Sequence, residues 1–222
     1  MNSPSPLTPR NASRQLGGIA PPTTGLARTS PPAALVPPRA PGLPSTPMSH
    51  HQHRAEAPRQ VRFGVLTASD TRGEAEDESG RYLREQVAAA GHALASYAVV
   101  RDDPVAIRAA LDSAAAAGGA EAVVVNGGTG IAGRDRTYEA VSGLIEKRLD
   151  GFGELFRMLS FAEIGSAAML SRAVAGVWDG RVVFSVPGSR AAVRLAWDKL
   201  IAPEVGHVLR ELRKDAAPQS AR

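Results

Sequence analysis

The stretch Ala122-Val123-Val124-Val125-Asn126-Gly127-Gly128-Thr129-Gly130-Ile131-Ala132-Gly133-Arg134-Asp135 decides the fold class. Its first five residues form a short apolar, β-branched run, the pattern of a buried strand. The glycines that follow permit positive φ and close backbone approach. A run of exposed N–H groups there can cradle an anion. A strand that empties into such a loop marks the carboxyl edge of an open α/β sheet, where ligands bind.

Working outward, the same alternation recurs. Residues 61–67 read as a buried strand ending in the polar loop 68–73, and residues 78–90 as a helix stopped by Gly91. Residues 94–100 are a second strand. Asp103 before Pro104 predicts an N-cap with proline in the first turn, opening a helix that runs to Gly118-Gly119. After the glycine loop, Thr137 is expected to cap a helix to about residue 148, and a further helix covers residues 154–160. Residues 173–177 and 182–186 flank Asp179-Gly180, a tight-hairpin pair that brings one antiparallel strand into the sheet. Ser189 then caps a long amphipathic helix, interrupted at Pro203. Strands alternating with helices predict an α/β fold, a three-layer α/β/α domain on a mostly parallel sheet. There is no internal repeat.

Composition divides the chain near residue 60. Thirteen of the 17 prolines lie in residues 1–60, which lack any apolar period. Residues 1–59 are therefore expected to be a disordered tail, residues 60–214 the domain, and residues 215–222 a flexible C-terminus. Met48 stands as an alternative start, and His50, His51 and His53 as an incidental cluster. The tail is basic and nearly free of acid, as transit peptides are, but lacks their amphipathic stripe. It carries six Arg and one Glu, a net of +5 against +4 for the whole chain, so the other 162 residues sum to −1. A near-neutral domain argues against nucleic acid as a partner. No apolar run approaches 18 residues, so no membrane span is expected, and the absence of Cys excludes disulfides and thiolate metal sites. A cytoplasmic protein is the expectation.

Three polar loops fall at expected strand ends: residues 68–73, residues 127–135 and Pro187-Gly188-Ser189. The middle one contains GxGxxG at Gly128, Gly130 and Gly133. It follows the third strand, not the first, and no strand ending in an acid follows its helix, which argues against a dinucleotide fingerprint. Arg134-Asp135 stands where a Walker loop needs Lys and Ser/Thr. His92 and His207 lack a Ser or Cys partner pattern, which argues against a triad. Trp178 and Trp197 read as packing residues.

Taken together, Gly127-Gly128-Thr129-Gly130, Arg134-Asp135, Asp150-Gly151-Phe152-Gly153-Glu154, Met169-Leu170-Ser171-Arg172 and Pro187-Gly188-Ser189 resemble the MoaB/MogA molybdopterin-binding family over residues 60–212. Phe156-Arg157-Met158-Leu159-Ser160 is closer to its MoaB branch. The resemblance implies a shallow pterin site on a homotrimer or homohexamer. It also implies transfer of AMP from ATP to the terminal phosphate of molybdopterin with Mg²⁺, pyrophosphate being released and the product passing to a molybdenum-insertion enzyme. A molybdopterin carrier without catalysis is the other reading. Tyr138, where the family usually has Pro, and Arg136, between Asp135 and Thr137, depart from its pattern and bear on the rigidity of the loop.

Site residues follow from both lines. Expected substrate contacts are Ser69, Asp70, Gly127, Gly128, Thr129, Gly130, Arg134, Thr137, Glu154, Ser171, Arg172, Pro187, Gly188 and Ser189. Asp70 reads equally well as a turn residue, and Glu154 as a helix N-terminal charge. Arg172 beside a hydroxyl suits a phosphate. Asp103 is explained by capping, which leaves Asp102 as the carboxylate at the end of the second strand. The resemblance aligns Asp102 and Asp135 with the family's catalytic pair, and both are assigned to Mg²⁺ and the ATP phosphates.

Overall fold

The central strands are apolar on both faces, and the structure buries both. It is a computed structural model that describes Pro58 and residues 60–214. Apart from Pro58, the expected tail, Met48, the three-histidine cluster and residues 215–222 lie outside these described residues.

Six strands form one sheet: β1 (Arg62–Ala68), β2 (Ala93–Val100), β3 (Ala122–Asn126), β4 (Lys147–Arg148), β5 (Val174–Trp178) and β6 (Arg181–Val186). Their order is β2-β1-β3-β6-β5-β4. The pairs β1–β2, β1–β3 and β3–β6 are parallel, and β5 runs antiparallel to both its neighbours. This is the expected mostly parallel sheet with one antiparallel strand. Alternate residues serve two cores. Phe63, Val65, Val124 and Phe184 pack on one face with Leu83, Val87, Phe156, Trp197 and Leu209. Leu66, Val123, Val125 and Val183 pack on the other with Ile107, Leu111 and Val141. The first group is covered by α1 (Glu78–Ala89), α4 (Asp150–Ile164), α5 (Arg190–Ala196) and α6 (Ala202–Arg213). The second is covered by α2 (Pro104–Ala116) and α3 (Thr137–Leu144). Each fully buried large side chain contributes about 1.5–3 kcal/mol relative to exposure.

Caps fix where the helices begin. The Asp103 carboxylate accepts from the amides of Val105 and Ala106 at 3.0 Å, with Pro104 in the first turn, as its sequence predicts. Ser189 likewise accepts from the Ala192 amide at 3.2 Å. Asp179 and Gly180 take φ of 47° and 68°, the left-handed pair a tight hairpin needs.

Four expectations change. Thr137 does not cap α3; it is the first helical residue and Arg136 holds the cap position without a side-chain bond. That helix stops at Leu144, because the Glu146 and Leu149 amides bond to the Val177 and Ala175 carbonyls and residues 147–148 become the edge strand β4. The helix expected over residues 154–160 begins at Asp150. Gly153 is a packing residue there, since a Cβ would sit 2.7 Å from the Ala173 carbonyl oxygen. The last long helix is interrupted before Pro203, by a π turn at Trp197–Ile201. In it the Ala202 amide bonds to the Trp197 carbonyl, a wider step just ahead of a residue that has no N–H to give.

Candidate functional site

Four loops meet at the carboxyl edge of β1, β2, β3 and β6. After β1, Ser69 Oγ accepts from the Arg72 amide at 3.1 Å and closes a tight turn. After β2, the Asp102 amide donates to Asp70 Oδ1 at 3.2 Å. After β3, Gly127 and Gly128 take φ of 109° and 51°. A Cβ on Gly127 would collide with the Ala68 carbonyl oxygen, and one on Gly128 with Asp102 Oδ2 and Thr137 Oγ1. Only glycine lets the backbone pass here. After β6, the Gly188 carbonyl accepts from Ser79 Oγ at 3.0 Å and Arg72 Nη1 at 3.4 Å, while Gly188 backs onto the Gly127 Cα.

Asp102 is the buried carboxylate of the group, 9% exposed. Its Oδ1 accepts from Thr137 Oγ1 at 2.8 Å and from the Arg136 amide at 3.1 Å. Burial pushes its pKa up, these two bonds hold it down, and the charges of Asp135 and Asp70 push it up again; the net direction is upward. Asp135 Oδ2 accepts from the Ala132 amide at 3.1 Å, which folds the end of the glycine loop back on itself. Two clefts share Asp70, Asp102 and Arg134. One, of about 450 Å³, is walled by Arg101, Asp103 and Arg136. The other, of about 170 Å³, is walled by Ser69, Arg72, Gly128 and Asp135.

Arg172 holds the far side of the loop. Its Nε donates to the Thr129 carbonyl at 2.8 Å and its Nη2 to the Gly130 carbonyl at 2.6 Å. Nη1 reaches Glu139 Oε1 at 2.5 Å, a bond that lowers the Glu139 pKa. The guanidinium also lies 4.6 Å from the Tyr138 ring centre. Tyr138 in turn walls a third cleft, of about 170 Å³, with Glu154, Asp150, Arg148 and Arg157.

Residues 64–207 match the family described as "Probable molybdopterin binding domain". The chain is 53% identical over 169 residues to molybdenum cofactor biosynthesis protein B of Halalkalibacterium halodurans, a match spanning 76% of this chain and 99% of the relative. It belongs to the MoaB/MogA family, on its MoaB branch. The protein of the same name from Escherichia coli K12 is 44% identical over 145 residues, covering 65% of this chain and 85% of the relative. Among solved structures, the tungsten cofactor synthesizing protein MoaB from Pyrococcus furiosus superposes with a TM-score of 0.67 at 41% identity, covering 71% of this chain and all of that one.

In this MoaB-family chain the expected site residues fall into two groups. Ser69, Asp70, Asp102, Gly127, Gly128, Thr129, Gly130, Arg134, Asp135, Thr137 and Gly188 lie together around the first two clefts and the loop between them. Glu154 lies apart from them, in the third cleft, and the Ser171 amide turns back to the Ala168 carbonyl. Ser189 is occupied as the α5 cap. Arg172 grips the loop's carbonyls, a role that its sequence context did not announce. Sequence reasoning passed over Arg72 and Arg101, whose positions depend on loop closure, and the buried trio Thr67, Asp77 and Asn126. Asp77 before Glu78-Ser79-Gly80 has the spacing of an N-cap, the one signal that marked it. Among the described residues no helix is long and apolar enough to cross a membrane.

Proposed function

We propose that this protein binds molybdopterin and transfers AMP from ATP to its terminal phosphate, releasing pyrophosphate. Membership of the MoaB branch supports a role in molybdenum cofactor biosynthesis. One observation carries the finer reading: Asp102, buried and aimed at Gly128, joins two clefts lined by both arginines and aspartates to the glycine loop. In the reaction a terminal oxygen of the pterin phosphate attacks the α-phosphorus of ATP. The bond from that phosphorus to the β-bridging oxygen breaks, and pyrophosphate leaves with the electron pair.

The protein's part is to anchor and to orient. The amides of the glycine loop hold the pterin phosphate, with Arg172 and Glu139 fixing the loop from behind. Arg101, Arg134 and Arg136 supply charge for the triphosphate. Asp70, Asp102 and Asp135 offer carboxylate oxygens around one opening, the donors Mg²⁺ prefers. Among the described residues no three His, Cys, Asp or Glu side chains form a ready-made metal cage. A Mg²⁺ ion needs only one or two carboxylates from the protein and fills its sphere with phosphate and water. Mg²⁺, when bound by Asp102 and Asp135, neutralises phosphate charge.

The same reading includes assembly into a homotrimer or homohexamer and delivery of the adenylylated pterin to a molybdenum-insertion enzyme. Six of the nine exposed large hydrophobic residues among the described residues support the first: Leu155, Met158, Phe161 and Ile164 on α4, with Met169 and Leu170 just after it. Mass spectrometry of the pterin after incubation with ATP and Mg²⁺ tests the activity. Adenylylated molybdopterin is expected; pterin recovered unchanged from a protein that binds it establishes the carrier reading instead.

A further inference from the structure

Beneath the glycine loop lies a buried polar relay that the reaction above does not use. Asp77, Thr67 and Asn126 are each 0% exposed. The Asp77 carboxylate accepts from Thr67 Oγ1 at 2.6 Å, from the Tyr97 hydroxyl at 2.9 Å and from the Gly80 amide at 2.9 Å. Thr67 has one hydroxyl proton and gives it to Asp77, so its oxygen meets Asn126 as an acceptor only. Asn126 Nδ2 fills that position at 2.8 Å and reaches the Leu66 carbonyl at 3.2 Å. Turning the amide over would set its oxygen against two acceptors, so its orientation is fixed. Asn126 Oδ1 is left buried without a hydrogen-bond partner among the described residues.

Position gives the relay its consequence. Asn126 is the last residue of β3 and stands opposite Thr67 in the β1–β3 register. Gly127 follows it, passing so close over β1 that a Cβ would strike the Ala68 carbonyl. The start of the loop is therefore set by how the ends of β1 and β3 are locked together. The same α1 N-terminus holds the other neighbour of Gly127, since Ser79 Oγ donates to the Gly188 carbonyl.

We propose that Asp77 is a positioning residue for the glycine loop: by claiming the Thr67 proton it orients the Asn126 amide, locks the ends of β1 and β3, and sets the loop amides for the anion they hold. This rests on the loop being the phosphate cradle. The Tyr97 hydroxyl, its pKa pushed up to about 12 by burial and by its bond to Asp77, stays a donor at neutral pH but stands outside the line from Asp77 to the loop.

Equilibrium binding of molybdopterin to the full chain, measured below the melting transition of every variant, separates positioning from mere stability. Thr67→Val keeps the side chain's shape but removes its proton and acceptor; binding should weaken about tenfold, the scale of one lost hydrogen bond, and Thr67→Ser should restore it. Tyr97→Phe should lower the melting temperature and leave affinity unchanged. Should Thr67→Val not fold, Asp77→Ala, which removes the acceptor altogether, carries the same expectation of weakened binding. Wild-type affinity in Thr67→Val or Asp77→Ala overturns the relay, as does a Tyr97→Phe loss of equal size. A wild type that does not bind molybdopterin overturns the cradle reading itself, and the relay with it.

Discussion

Asp102 sits where burial and the nearby carboxylates of Asp135 and Asp70 oppose its charge, and its pKa is raised. A carboxyl group whose folded pKa lies above its unfolded one favours folding while protonated, and that contribution is lost as pH rises through the folded pKa. At neutral pH the ionised group therefore weighs against the fold. Asparagine is uncharged throughout and keeps an oxygen for the Thr137 hydroxyl and the Arg136 amide. Asp102→Asn is expected to melt above the wild type near pH 7 in chelator-treated buffer, with the gap closing as pH falls to about 4 and below, the ordinary aspartate range, where Asp102 is neutral both folded and unfolded. Thermal melts across that range check it; a variant that melts lower at pH 7 contradicts the assignment. Asp102 could be told from Asp103 in the sequence because Pro104 marks its neighbour as a cap. The burial of Asp77 could not be read, since a capping aspartate looks the same whether solvent or Tyr97 faces it.

At the scale of elements, the caps and turn pairs that act through neighbouring residues were the legible part. Asp103-Pro104, Ser189 and Asp179-Gly180 all stand where local chemistry put them. Asp103→Ala should lower stability by about 1 kcal/mol, the usual value of an N-cap, and leave AMP transfer unchanged. Denaturant unfolding with a turnover assay on the same variant tests both halves, and a loss of transfer would move Asp103 into the site. What escaped the sequence was set by distant partners. The length of α3 is fixed by β5, whose edge captures residues 146–149, and the start of α4 was hidden by Gly151 and Gly153, of which Gly153 serves close packing on Ala173. The π turn falls at Trp197–Ile201, where Trp197 and Ile201 are buried and Trp197 lies 5.2 Å, centre to centre, from the Phe63 ring. Periodicity registered the Pro203 break but not the wider turn that precedes it.

For the whole molecule, the exposed apolar strip on α4 and the residues after it is a surface that water does not favour, and a second copy of the chain is its expected cover. The double variant Met158→Glu with Phe161→Glu should sediment as a monomer where the wild type sediments as a trimer or hexamer. A monomeric wild type contradicts the assembly. The convergence of Asp102, Asp135 and the glycine loop on one edge of the sheet arises from β-strand order, and no single motif displayed it. Its central consequence is chemical. Pyrophosphate release with ATP, Mg²⁺ and molybdopterin, measured on the wild type and on Asp102→Asn and Asp135→Asn, tests it most directly. One pyrophosphate is expected for each adenylylated pterin in the wild type. A fall of about two orders of magnitude or more is expected in each variant, with molybdopterin still bound through the loop amides. Wild-type rates in both variants, or a wild type that binds molybdopterin and releases no pyrophosphate, would contradict it.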